Sequence, residues 1–99
     1  LREKHFPGYN FAGPGTNVAR RLKRGVKPVN NIDAAALQHD LVTEPRGPWS
    51  GKGKPSEMRR ADRALIKACK KHRAEDPRVA NAIIIAMKAL LRTGARGRR

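Results

Sequence analysis

A carboxylate stands in the middle of an apolar helical stripe. Met58, Leu65, Ile66 and Cys69 recur at the spacing of one helix face, with Arg and Lys on the other. Asp62 lies four residues after Met58, three before Leu65 and four before Ile66. The stripe predicts a helix that must be buried. An unpaired buried carboxylate costs several kcal/mol, so this one needs a partner with a proton to share.

The partner is found on an earlier helix. The run NNIDAAALQHDLV reads as helical: Asn30 or Asn31 serves as cap, and Asp33 in the first turn suits the positive end of the helix dipole. Three consecutive alanines favour helix and allow close approach of a neighbour. Ile32, Ala35, Ala36 and His39 fall along one side at spacings of three and four, so His39 faces inward. An inward histidine is in many proteins only a hydrogen-bonded structural residue. If the two helices pack antiparallel, however, His39 meets Asp62 and each polar residue accounts for the other. A carboxylate behind an imidazole fixes its tautomer and leaves the second ring nitrogen free as a general base. Cys69 lies two helical turns beyond Asp62, which makes water the expected nucleophile.

Asp40 follows His39 and is rotated by about 100° around the helix. It reads either as a solvated surface carboxylate or as one ligand of a cation at the same centre. Ca²⁺ takes about six to eight oxygens, so one carboxylate is not enough. Main-chain carbonyls of the loop FAGPGT at 11–16 could supply others, with Gly13 and Gly15 granting unusual backbone angles around Pro14. Alone, a Gly-Pro-Gly is far more often an ordinary turn than a metal loop.

The rest of the chain is short helices and breakers. Residues 1–17 read as irregular loop, and Val18 to Arg24 as a basic helical turn ahead of Gly25 and Pro28. Residues 44–56 form a connection rich in Gly and Pro; Ser56 is the expected cap of the helix running from Glu57 to Ala74. Asp76-Pro77 opens a third helix through Val79, Ile83, Ala86 and Leu90, stopped near Gly94. No strand-type alternation persists, so the expected class is all-α, with a domain over 1–94 and a basic tail over 95–99. One cysteine, Cys69, excludes an intrachain disulfide and reads as a small buried hydrophobe. The start at Leu1 suggests a segment of something longer. The N-terminal residues lack a secretory pattern, and the apolar runs are too short to cross a membrane. The 23 Lys and Arg against 8 Asp and Glu give +15, a surface suited to nucleic acid or anionic lipid.

The conjunction GYNFAGPGT, DAAALQHD and a helix carrying ADRALI resembles the phospholipase A2 domain of parvoviral minor capsid proteins and of related viral and transposon-like genes, over roughly residues 6–72. The resemblance implies a disulfide-free domain with two antiparallel catalytic helices, a Gly-rich calcium loop and a third C-terminal helix. It implies that His39 is the catalytic base on water and Asp62 its support. Asp40 and the main-chain carbonyls of Phe11, Gly13 and Gly15 would hold Ca²⁺, and the Gly13 N–H would add an oxyanion donor. The implied activity is hydrolysis of the sn-2 ester of glycerophospholipids on an anionic bilayer, by a virion component acting at host endosomal membranes or, alternatively, reaching the host nucleus. Two departures stand out: Thr43 replaces the family's usual tyrosine, and Trp49 sits in the Gly/Pro-rich connection as either a lipid anchor or a packing residue. Two other function classes compete: a basic nucleic-acid-binding or virion-packing module, and a catalytically silent membrane-binding relative.

Overall fold

The structure, a computed structural model, describes residues 6, 8–12, 18–43 and 55–94, with the backbone alone at 18–20. Gly13, Pro14, Gly15, Trp49 and the tail 95–99 therefore lie outside the described residues. Among the described residues there are four helices: α1 (Val18–Lys23), α2 (Asn31–Thr43), α3 (Pro55–Lys71) and α4 (Pro77–Thr93). A single 3₁₀ turn, Arg73–Glu75, links α3 to α4. No strand occurs among the described residues, so the all-α expectation holds.

Local chemistry explains most of the boundaries. Gly25 ends α1 at φ +76°, with the Val26 N–H bonded to the Arg21 carbonyl and the Gly25 N–H to that of Leu22, a Schellman closure. Asn30 caps α2, its side-chain oxygen accepting the Asp33 N–H at 2.8 Å. The Asp76 carboxylate accepts the Val79 N–H at 3.2 Å, Pro77 takes the first turn of α4, and Gly94 closes that helix at φ +75°. Two boundaries differ from expectation. α3 begins at Pro55, so Ser56 lies inside the helix rather than capping it; a proline fits the first helical position because its missing N–H would be unpaired there anyway. At its other end α3 stops at Lys71, and the chain tightens into the 3₁₀ turn instead of continuing to Ala74.

α2 and α3 run antiparallel. His39, late in α2, meets Asp62, early in α3, while Asn31 at the start of α2 bonds Glu75 just beyond α3. α4 turns back and packs on α3, burying Val79, Ala80, Ile83 and Ile84 against Leu65, Ile66 and Cys69. Each fully buried aliphatic side chain contributes about 1.5–3 kcal/mol. The inward stripe of α4 differs from the expected one. Ala86 is exposed and Leu90 only half-buried, whereas Ala80 and Ile84 face the core and Met87 and Leu91 extend the row.

The N-terminal loop belongs to the same core. Phe11 is fully buried, flanked by buried Tyr9 and Ala12. Its shape is set by a turn whose Tyr9 N–H bonds the Phe6 carbonyl, with Gly8 at φ +83°, and by a Phe6 N–H bond to the Ala12 carbonyl. Tyr9 then ties two helix caps together: its hydroxyl donates to Asp76 Oδ2 and accepts from Asn30 Nδ2, both at 2.9 Å.

Candidate active site

α2 presents an unusual inward face. Ile32, Asp33, Ala36, His39, Asp40 and Thr43 are all buried, so most of the face is polar. The structure brings His39 and Asp62 together: Nε2 lies 2.6 Å from Asp62 Oδ1, with Asp62 fully buried and His39 nearly so. With Nε2–H donating to Asp62, the tautomer leaves the lone pair on Nδ1. Nδ1 lies 3.6 Å from Asp40 Oδ1. Asp40 is 7% exposed, which removes the reading of a solvated surface carboxylate. Thr43, where the resembling family carries tyrosine, is buried, and its hydroxyl donates to the His39 carbonyl at 3.2 Å.

Burial alone pulls the His39 pKa down and is the largest single influence. The hydrogen bonds and charges of Asp40 and Asp62 oppose it together and win, holding the ring above its ordinary 6.5. A cation at Asp40 would relieve that upward pull.

A groove of about 600 Å³ opens between α2 and α3, and His39 forms part of its wall. It exists because the facing residues are small: Ala35 on α2, and Ala61, Ala64 and Ala68 on α3. Val42 and Leu65 add apolar surface, while Arg60 lies on the rim. A general base in the wall of an apolar groove can reach an ester carried by a hydrocarbon chain.

The donors fit calcium better than a transition metal. Among the described residues no group of three His, Cys, Asp or Glu gathers, so a cation at Asp40 would depend on main-chain oxygens. Asp33 sets the orientation of the peptides in the loop 10–12. The Asn10, Phe11 and Ala12 N–H groups all bond the Asp33 carboxylate, at 3.1, 2.7 and 3.0 Å. In trans peptides the C=O opposes the N–H, so the Phe11 carbonyl points away from Asp33. Gly13 and Gly15, the other residues expected to contribute carbonyls, lie outside the described residues.

Two features escaped the sequence reading. Asp33 was expected to serve the helix dipole, yet it is fully buried and serves the loop. Its signal was present: Asp33, Ala36, Asp40 and Thr43 fall three, four and three apart, a second row beside the one through His39. The groove was the other, and the alanine spacing at 61, 64 and 68 was its trace.

Residues 2–88 match a family model described as phospholipase A2-like domain. No curated protein and no solved structure matches the chain.

Proposed function

Because the chain belongs to the phospholipase A2-like domain family, we propose that it is a calcium-dependent hydrolase of the sn-2 ester of glycerophospholipids. The observation that carries this reading is the 2.6 Å bond between His39 Nε2 and Asp62 Oδ1, made beside Asp40 in the wall of an apolar groove.

His39 takes a proton from water at Nδ1, and Asp62 stabilises the imidazolium that results. The water oxygen bonds to the ester carbon. The bond to the glycerol oxygen then breaks, and His39 returns the proton to that oxygen, giving a fatty acid and a lysophospholipid. Asp40 and the main-chain carbonyls of Phe11, Gly13 and Gly15 would hold calcium, which when bound would supply positive charge to the ester oxyanion and the lipid phosphate. The alanine-lined groove accepts the acyl chain and excludes water from it.

Charge on α3 supports a bilayer as the substrate surface. At about 100° per residue, Arg60, Arg63, Lys67, Lys70 and Lys71 occupy one exposed sector that borders the groove-lining residues. Each such cation contributes about 1 kcal/mol near an anionic membrane. Among the described residues no helix is long and apolar enough to cross a membrane, which suits binding at its surface. In a virion, this activity would act on host endosomal membranes during entry.

Fatty-acid release from anionic phospholipid vesicles, with calcium or with chelator, tests the reading. The wild type releases fatty acid only with calcium, while His39→Ala and Asp62→Asn lose on the order of 10²–10⁴-fold. Release that survives His39→Ala overturns the mechanism. Salt-sensitive polyanion binding with no hydrolysis would favour a nucleic-acid module, which the +15 charge also suits.

A further inference from the structure

The Asp33 carboxylate gathers four main-chain N–H groups from two separate segments. Oδ1 accepts from Phe11 at 2.7 Å and Ala12 at 3.0 Å; Oδ2 accepts from Asn10 at 3.1 Å and Val29 at 3.0 Å. The side chain is fully buried, and its own N–H is held by the Asn30 cap at 2.8 Å. Both ends of this clamp are therefore fixed. On one side stands the first turn of α2; on the other, three consecutive peptides of the loop. Seven residues further along α2, on the same helix face and about 10.5 Å up the axis, stands Asp40.

We propose that Asp33 is a positioning residue for the calcium site: it sets the loop 10–12 in its metal-binding shape before any metal arrives. This rests on the calcium-dependent reading above. Three converging N–H groups fix three peptide planes, and the trans geometry then turns the Tyr9, Asn10 and Phe11 carbonyls away from Asp33. The Phe11 carbonyl is the one expected to meet the cation. A charged acceptor suits the task, because hydrogen bonds to a carboxylate are stronger than those to a neutral oxygen and lie in a buried setting. A metal that finds its oxygens already arranged does not have to order the loop itself. With Asp40 the single carboxylate expected among its ligands, affinity depends heavily on that arrangement.

Calcium titration calorimetry on the wild type and Asp33→Asn provides the test, with Ile83→Val in the α4 core as a control of modest destabilisation away from the loop. Asparagine keeps the shape and Oδ1 but presents an NH₂ to the Asn10 and Val29 donors. The expected result is a Ca²⁺ Kd raised about 10–100-fold in Asp33→Asn and unchanged in Ile83→Val. A wild-type Kd in folded Asp33→Asn overturns the proposal. If Asp33→Asn does not fold, amide hydrogen exchange of the wild type decides. Phe11 and Ala12 must be protected in chelator as well as in calcium. Protection that comes only with calcium would mean that the metal, not Asp33, orders the loop. A wild type that neither binds calcium nor hydrolyses lipid overturns the functional reading itself. Loss confined to the Asp33→Asn comparison leaves that reading intact.

Discussion

Replacing Ala64 by leucine separates substrate binding from folding and from the proton transfer. Ala64 is exposed on α3 and lines the groove, so a larger side chain enters solvent space rather than the core. Leucine forms helix nearly as well as alanine, and stability should stay within about 0.5 kcal/mol of wild type. The substitution adds three carbons to the groove and displaces about three methylenes of a bound acyl chain. At about 0.8 kcal/mol for each buried methylene this is roughly 2.4 kcal/mol, or about 50-fold in kcat/KM. The loss must fall on long chains, because a short acyl group leaves the displaced region empty. The assay is hydrolysis of didecanoyl against dibutanoyl phosphatidylglycerol in the same mixed micelles, for wild type, Ala64→Leu and Ala86→Leu. Ala86 is an exposed α4 residue that does not line the groove, so its variant should keep the wild-type ratio. A long-to-short ratio unchanged in Ala64→Leu would show that the acyl chain does not lie between α2 and α3.

Three further outcomes follow from the same geometry. The raised His39 pKa means that the folded state binds the proton more tightly than the unfolded one. In chelator, the resulting stabilisation is whole below pH 6.5 and is lost as pH climbs through the folded value; urea unfolding against pH measures it, and Asp62→Asn should flatten the curve. Burial pushes the Cys69 thiol from 9.0 up to about 11, so stability should fall by roughly 2–3 kcal/mol as pH rises through that interval. Labelling of Cys69 by a thiol reagent at pH 8 should likewise be no faster than unfolding, and rapid labelling of the native protein would contradict its burial. Tyr9→Phe removes a hydroxyl that joins Asp76 to Asn30, which should cost about 1–3 kcal/mol and lower Tm by about 5–20 °C. An unchanged Tm would mean that water replaces the link without penalty.

Periodicity worked where a face was uniformly apolar and failed where it was mixed. The α3 stripe was legible because four apolar residues frame Asp62 at helical spacing, and burial of that carboxylate followed from them. The α4 row was misread past Ile83, because apolar residues occur on several sides of that helix and only the contact with α3 selects Ala80 and Ile84 over Ala86. On α2 the buried face is mostly polar, so hydrophobic spacing could find Ile32, Ala36 and His39 but not the burial of Asp33 and Asp40. Those two carboxylates are buried by what other segments bring to them.

What the amino-acid order determined by itself is local. It set where helices start and stop, through Asn30, Asp76-Pro77, Gly25 and Gly94, and it placed an imidazole and a carboxylate on faces that had to turn inward. These depend on bonds spanning a few residues, whose partners lie within the same stretch of sequence. The tertiary structure alone decided that Nε2 rather than Nδ1 meets Asp62, that three loop amides close on Asp33 across more than twenty residues, and that the α2–α3 seam stays open as a groove. Each is a matter of distance between segments remote in the chain, and spacing along the sequence carries no measure of that distance.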